Sequence, residues 1–197
     1  INLPVIHTSV HVPIEDRKPG LTLSIFGQHF NRNEAWAELA KPWIEYLARN
    51  AYMLQQGRNV ADIAWFYGEE APLTGLYSDK PVPNAPRSFG YDFVNADALM
   101  GALANDGGDL VTTGGARYRV LFLGGSSRMM TLPALRRLHA LVEGGATIIG
   151  NRPQSDPGLG GNDAEFTRLA DQLWANGAET RVGGGRVIVS DNPEAAL

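Results

Sequence analysis

From residue 58 onward, short apolar segments alternate with segments in which apolar residues recur every three or four positions. The short segments are rich in β-branched and aromatic residues and many end in glycine, which is typical of buried strands, whereas the wider spacing indicates amphipathic helices. Strands joined by helices predict an α/β fold, with a mostly parallel sheet that carries helices on both faces. This pattern is typical of an open flavodoxin-like or class I amidotransferase-like domain over residues 58–197. The predicted strands are 60–67, 110–113, 118–123, 146–149 and 186–190, and the predicted helices are 91–104, 131–142 and 163–175. Thr131 is the predicted cap of the second helix, which has a proline in its first turn.

Residues 1–57 follow a different pattern. Residues 3–12 are β-branched and apolar, which predicts a strand, and residues 13–20 form a charged loop. A long helix follows, with a kink or fresh start expected at Pro42 and a stop at Gly57. Its apolar stripe comprises Trp36, Leu39, Ala40, Trp43, Leu47, Ala51 and Leu54. One strand and one helix cannot bury so much apolar surface, so this segment is predicted to be the terminal βα unit of a larger fold, such as a (β/α)8 barrel.

Polar and aromatic side chains are concentrated in residues 26–36, between a predicted strand and the long helix. Aromatic rings stack on the C–H faces of sugars and amides hydrogen-bond to hydroxyls, so this mixture is typical of a carbohydrate site. The spacing of Asn31 and Glu34 also fits a capping box, which would only satisfy free backbone N–H groups at a helix start. These residues by themselves leave both interpretations open. For Trp36 and Trp43 we expect core packing, with Trp36 the better site candidate of the two.

The composition mainly excludes certain kinds of binding and catalytic site. The chain has 197 residues, a net charge of −4 and no cysteine. The charge does not favour nucleic-acid binding, and the missing thiols exclude disulfides, cysteine metal ligands and a cysteine nucleophile. No apolar run has the length of a transmembrane helix. Because strand-like residues stand at the very start of the sequence, we also expect it to be a fragment of a longer polypeptide.

Several motifs suggest chemistry but are better explained by structure. His7 and His11 would stand about 13 Å apart on a strand, too far to share one metal ion. Ser126 follows a strand but lacks the Gly-x-Ser-x-Gly pattern of a nucleophile elbow. Neither glycine-rich segment, at 158–161 or 183–185, matches a phosphate loop. We expect Glu69 and its neighbour Glu70 to lie in a solvated loop, and His139 to be a surface or packing residue.

Ligands of open parallel sheets bind beyond the carboxyl ends of the strands. In residues 58–197 those positions are 68–70, 124–128 and 151–163. They are the candidate ligand-binding segments of the second part of the chain.

Several separate blocks of the sequence resemble one family, glycoside hydrolase family 106, the α-L-rhamnosidases. Residues 25–57, beginning Ile-Phe-Gly-Gln-His-Phe-Asn-Arg-Asn-Glu-Ala-Trp, resemble the end of its catalytic barrel, and residues 5–11 resemble its last barrel strand. Similar blocks stand at 62–72, 90–95, 118–121 and 128–133, so the resemblance reaches about residue 187. One departure is Ala35, where the family pattern has threonine.

The resemblance implies a parent enzyme that removes α-L-rhamnose with inversion, using two glutamates and a calcium ion. It places those glutamates before Ile1, so the catalytic residues are unknown in this chain and the fragment alone is expected to be inactive. It implies a periplasmic or extracellular location, a rhamnose-containing carbohydrate as partner, and the preceding part of the same polypeptide as a second partner. The residues expected to line the sugar site are His29, Asn31, His7, His11, Asn33 and Trp36.

Three alternatives stay open. The parent is another barrel glycosidase, such as a β-galactosidase, with the same accessory domain. The chain is a self-contained α/β binding or assembly module. The weakest alternative is a serine esterase that uses Ser126.

Overall fold

The computed structural model describes residues 2–5, 36–69, 82–125, 127–160 and 162–197. By their internal contacts the residues divide into two compact units, Ile1–Arg58 and Asn59–Leu197. Each unit is described by itself below.

In the first unit a short 3-10 turn at Ala37–Leu39 precedes helix α1, Lys41–Gln55. Pro42 lies in the first turn of α1, where the missing N–H costs no intrahelical bond, so the predicted fresh start at this position is confirmed. The helix ends two residues before the predicted stop at Gly57. Residues 2–5 are not in a strand, which contradicts the first part of the strand predicted over 3–12. The rest of that predicted strand lies outside the described residues.

The described part of the second unit is built on a six-stranded sheet with three helices and a small antiparallel sheet. The large sheet contains β1 (Ile63–Phe66), β2 (Tyr91–Val94), β6 (Val120–Leu123), β7 (Thr147–Ile149), β8 (Glu179–Val182) and β9 (Gly185–Ile188). The small sheet contains β3 (Leu103–Asp106), β4 (Asp109–Thr112) and β5 (Arg117–Tyr118). The helices are α2 (Ala96–Gly101), α3 (Leu132–Glu143) and α4 (Asp163–Leu173).

The order of the large sheet is β2-β1-β6-β7-β9-β8. The first five strands in this order run parallel to one another. The sixth, β8, lies at one edge and pairs antiparallel with β9. The predicted mostly parallel sheet is therefore confirmed. Strand β8 was not predicted, because its sequence, Glu-Thr-Arg-Val, has little apolar content and is recognisable only through its pairing with β9.

The helix predicted over 91–104 is wrong at both ends. Tyr91–Val94 pairs with β1 as a strand, and Leu103–Asp106 is a strand of the small sheet. Only the middle is helical, because the side chain of Asn95 accepts a hydrogen bond from the N–H of Ala98 and starts α2 there. The single strand predicted over 118–123 is also divided, since Tyr118 pairs with Leu110 in the small sheet while Val120 begins β6.

The two faces of the large sheet are covered differently. One face carries the main core, in which Leu121 and Ile148 pack with buried residues of α2, α3 and α4. The other face carries Trp65 and Phe122, and it is covered by residues of 82–89 and 196–197. All described helices of the second unit pack on the first face, so the prediction of helices on both faces is wrong for the residues the structure describes. Apolar strands indicate burial on both sides but do not show what covers each side.

Candidate functional site

The predicted carbohydrate site belongs to the first unit. Five of its six residues, His7, His11, His29, Asn31 and Asn33, lie outside the described residues. The proposed capping residues Asn31 and Glu34 do as well. Trp36 is described, and it is the residue that precedes the 3-10 turn. Trp36 is 38% exposed and Trp43 is 44% exposed, so neither tryptophan is buried within this chain, and their core packing in the larger fold stays a prediction.

Helix α1 exposes most of its apolar residues. Ala51 is the only buried residue of its fifteen, all of which the structure describes, and Ile44, Met53 and Leu54 are exposed. A separate side of the helix carries Lys41, Glu45 and Arg49, whose charges are joined by ion pairs one turn apart. The helix therefore has a charged side suited to water and a wide apolar side that its described neighbours leave uncovered.

One polar contact connects the end of α1 to the start of the chain. The side-chain amide of Gln55 donates a hydrogen bond of 2.5 Å to the backbone carbonyl of Asn2. This bond places residues 2–5 beside the last turn of the helix, which is the opposite end from Trp36.

In the second unit, two carboxylates of the protein occupy the start of α3, at the carboxyl edge of the sheet. The carboxylate of Glu69, which follows β1, accepts hydrogen bonds from the backbone N–H of Thr131 (2.8 Å) and from its hydroxyl (2.9 Å). The carboxylate of Asp156 accepts the N–H of Leu132 at 3.0 Å. Both carboxylates therefore lie at the amino end of α3, where the helix dipole favours negative charge. A phosphate or carboxylate ligand would have to displace them.

Glu70 lies outside the described residues. Glu69 does lie in a loop, as predicted, but its carboxylate is bonded to Thr131 and the residue is half-buried rather than solvated. Its partner Thr131 is far away in the sequence, and only the fold brings β1 and the start of α3 together. Thr131 itself was predicted as the cap of this helix, and its hydroxyl does accept the N–H of Ala134. The start of α3 thus has two caps: Thr131, which the local sequence predicts, and Glu69, which only the tertiary structure reveals.

The turn after β6 has no room for a catalytic side chain at its two glycines. A Cβ at Gly124 would collide with the indole nitrogen of Trp65, and one at Gly125 would lie 2.6 Å from the carbonyl oxygen of Tyr67. Gly125 also has a φ of +57°, which favours glycine. Ser126, the candidate nucleophile, lies outside the described residues. Ser127 is buried and donates its hydroxyl to the carbonyl of Gly124.

His139 is the histidine that the structure describes, and it belongs to helix α3. It lies about 12 Å along α3 from the cap residue Thr131, at 1.5 Å per residue. Its Nδ1 is 3.3 Å from the carboxylate of Glu143, one turn further on. The expectation of a packing role for His139 agrees with this position.

Asp92, on strand β2, connects Tyr118 of β5 with Asn59, which precedes β1. Its carboxylate accepts a 3.0 Å hydrogen bond from the hydroxyl of Tyr118 and two from the side-chain amide of Asn59. Burial and the nearby negative charge of Asp92 raise the pKa of Tyr118 to about 12. The tyrosine is thereby held as a neutral hydrogen-bond donor, which suits a structural role.

Two features of the described ranges bear on metal binding and on membrane insertion. No three histidine, aspartate or glutamate side chains there are grouped closely enough to hold a metal ion. None of them is therefore assigned as a ligand of the calcium that the resemblance implies for the parent. In the same part of the chain, no helix has the length and apolar character needed to cross a membrane.

Comparison with known proteins identifies the family. The sequence model of glycoside hydrolase family 106, described as alpha-L-rhamnosidase, matches residues 1–197. A solved structure of a rhamnosidase from Novosphingobium sp. PP1Y is 56% identical and superposes with a TM-score of 0.81. A curated relative from Formosa agariphila, named a putative beta-glucuronidase, is 37% identical over 177 residues.

The relatives are much longer than this chain. The match covers 100% of the chain but 19% of the Novosphingobium rhamnosidase. It covers 88% of the chain and 15% of the Formosa protein. The family model covers every residue, and a rhamnosidase of known structure is similar in both sequence and fold. The chain therefore belongs to glycoside hydrolase family 106, the α-L-rhamnosidases.

Proposed function

We propose that this chain is part of an inverting α-L-rhamnosidase, in which it supplies the last βα unit of the catalytic barrel and an amidotransferase-like accessory domain. The observation that carries the proposal is the match to a 56% identical rhamnosidase over the whole of this chain but only 19% of that protein. On this proposal the parent removes terminal α-L-rhamnose from glycosides or polysaccharides. The two catalytic carboxylates lie elsewhere in the parent polypeptide.

The exposed apolar side of α1 supports the barrel assignment. In a (β/α)8 barrel each outer helix packs its apolar side on the strands and on neighbouring helices. Helix α1 has the sequence of such a helix but leaves Trp43, Ile44 and Leu54 about half exposed or more. On the proposal, the remaining barrel elements of the parent cover these residues, and this rest of the polypeptide is the main protein partner of the chain.

The proposed sugar contacts are His29, Asn31, His7, His11, Asn33 and Trp36. Trp36 is the described member, and its partial exposure beside the start of α1 leaves ring surface for stacking on a sugar. Loops that follow barrel strands build the active site in this architecture, and Trp36 stands where such a loop enters its helix.

The occupied start of α3 and the crowded turn after β6 support an accessory role for the second unit. Glu69 and Asp156 occupy the start of α3, and the glycine turn after β6 excludes side chains at residues 124 and 125. These features oppose ligand binding at the place where open α/β sheets usually bind ligands. We therefore assign sugar recognition to the first unit and a supporting role to the second.

The direct test is an assay of the longer parent protein on p-nitrophenyl α-L-rhamnoside. Inversion predicts that β-L-rhamnose is the first product, which proton NMR detects before the anomers equilibrate. The variant His29→Ala should lower kcat/KM by about 100-fold or more if the imidazole binds the sugar in the transition state. The matched control is His139→Ala, which should keep nearly full activity because that residue lies on α3.

The same assay separates the alternatives. Faster hydrolysis of the β-glucuronide than of the rhamnoside would favour the activity named for the Formosa relative, and a preference for the β-galactoside would favour a β-galactosidase. An unchanged rate in His29→Ala would remove His29 from the site while leaving the activity itself intact. The present chain alone should hydrolyse none of these substrates, because a glycosidase needs its carboxylate pair.

The binding-module alternative requires the isolated chain to bind sugar. Rhamnose binding by this chain that is unaffected by His29→Ala would favour it over the enzyme proposal.

A further inference from the structure

The connection between β1 and β2 lacks a helix in the part that the structure describes. These strands are parallel neighbours, so the chain must return across one face of the sheet, a path that is usually helical. Residues 82–90 approach β2 without helical structure, and Val82 and Phe89 pack on the face that carries Trp65. A helix would satisfy its own backbone groups, but residues 82–90 are irregular, so most of their backbone groups need partners from elsewhere.

The side-chain carboxylate of Glu194 supplies such a partner. One oxygen of its carboxylate, Oε1, accepts hydrogen bonds from the backbone N–H groups of Arg87 (2.8 Å), Ser88 (2.6 Å) and Phe89 (3.2 Å). Three consecutive N–H groups that converge on one anion form a strong local site for negative charge. These bonds, led by the one from Ser88 and assisted by the charge of Arg87, hold the pKa of Glu194 below its ordinary value.

The segment that carries Glu194 is itself fixed on the sheet. The side-chain amide of Asn151, just after β7, donates to the carboxylate of Asp191 at 2.7 Å. The side chain of Asn192 accepts the N–H of Glu194 at 3.0 Å. Beyond Glu194, Ala196 and Leu197 pack against the cluster around Trp65 and Phe122.

We propose that residues 191–197 act as a clasp that holds the helix-free crossover 82–90 on the aromatic face of the sheet, with Glu194 as the latch. The clasp and the crossover together form the second layer that a helix would otherwise provide. Without the latch, the crossover separates from the sheet while the parallel strands and the helices of the opposite face stay intact. This inference concerns the second unit alone and is independent of the proposed rhamnosidase activity.

Hydrogen exchange of the whole chain tests the clasp residue by residue. In Glu194→Ala the amides of Arg87, Ser88 and Phe89 should exchange at least about tenfold faster than in the wild type, because they lose their acceptor. Amides of β6 and β7 should keep their protection. Glu179→Ala on β8 is the matched control, since it removes a carboxylate from the far edge of the same sheet and should leave residues 87–89 unchanged.

Two outcomes of this experiment would overturn the proposal. One is exchange at residues 87–89 that stays within about twofold of the wild type, below the change that loss of a hydrogen bond causes. The other is an equal rise throughout the sheet, which would mean that Glu194 supports the whole fold rather than the crossover.

A second measurement needs no variant and covers the case in which Glu194→Ala does not fold. Carbon-13 NMR of the side-chain carboxyls in the wild type should show Glu194 titrating below the ordinary pKa of a glutamate. Titration of Glu194 at the ordinary glutamate value would mean that the three N–H bonds do not form in solution, which would overturn the proposal.

Discussion

Helices α1 and α3 are both amphipathic and both carry a proline in the first turn, yet their apolar sides have different surroundings. Helix α3 buries six residues, including Leu135, Leu138 and Val142, against the sheet and neighbouring helices. Helix α1 buries Ala51 and leaves most of its larger apolar residues exposed. The comparison shows that periodicity specifies a helix and the direction of its apolar side, whereas burial depends on whether the covering elements are present.

The ion pairs of the two helices differ in the same way. Glu45 of α1 pairs with Lys41 and Arg49 within the helix. In α3, Arg136 pairs with Glu165 of α4, and the guanidinium of Arg137 donates to the backbone carbonyl of Leu99 in α2. Helix α3 is thus tied to its neighbours by both apolar and polar contacts, while the described contacts of α1 are mostly its own.

The largest expected effect compares the same substitution in the two helices. Leu138 is fully buried and Leu54 is 55% exposed. In this chain Leu138→Ala should lower the free energy of unfolding of the second unit by about 2–5 kcal/mol, through lost burial and the cavity left behind. Leu54→Ala should change stability by less than about 0.5 kcal/mol. Urea denaturation followed by circular dichroism measures both, and equal losses would contradict the comparison.

The second prediction sharpens the comparison by restoring the proposed surroundings of α1. In a longer parent polypeptide that contains the rest of the barrel, Leu54→Ala should become costly, by about 2 kcal/mol or more, if barrel elements bury the side chain. Thermal unfolding of the parent and of this chain, each with and without the substitution, gives the result. A small effect in both proteins would show that this side of α1 faces water in the parent too.

The third prediction concerns the start of α3. Glu69→Ala removes the acceptor of two hydrogen bonds from Thr131, and it should destabilise the second unit by about 1 kcal/mol, as the loss of a helix cap does. The exposed Glu38→Ala, in the turn before α1, is the control and should have almost no effect. An unchanged denaturation midpoint for Glu69→Ala would mean that Thr131 alone is sufficient as a cap.

The smallest expected effect is that of the pair between Arg136 and Glu165. The hydrogen bond from Arg136 holds the pKa of Glu165 below its ordinary value. A lowered pKa in the folded state means that the pair contributes stability above the ordinary carboxyl pKa and loses it as the pH falls through the folded-state value. Stability should therefore fall slightly less on acidification in Arg136→Gln than in the wild type. Parallel pH profiles of the two proteins would show that solvent screens the pair.

Local signals predicted the elements whose chemistry is contained within a few residues. The Thr131 cap followed by proline gave α3, and Pro42 gave the start of α1. Residues 91–104 were mistaken for one helix because Phe93, Val94, Ala98 and Leu99 fit a helical spacing. Pairing of Tyr91–Val94 with β1 overrode that pattern. Short strands that owe their structure to distant partners are the part that local periodicity cannot identify.

The same limit applied to the sites. The polarity of residues 26–36 led to a candidate carbohydrate site, of which Trp36 is described and exposed. Glu69 was assigned to a solvated loop because its acceptor role depends on Thr131, which is sixty-two residues away. No local pattern marks Glu194, since its three donors lie more than a hundred residues earlier in the chain.

The sequence by itself determined the α/β class, the mostly parallel sheet, the start of α1 and α3, and the membership of a rhamnosidase family. Only the tertiary structure decided that the described helices of the second unit share one face of the sheet, and that Glu69 and Glu194 fasten distant backbone. The physical reason is that propensity, capping and apolar periodicity act between near neighbours, whereas the covering of a face and the capture of a backbone N–H depend on which distant segments the fold brings together.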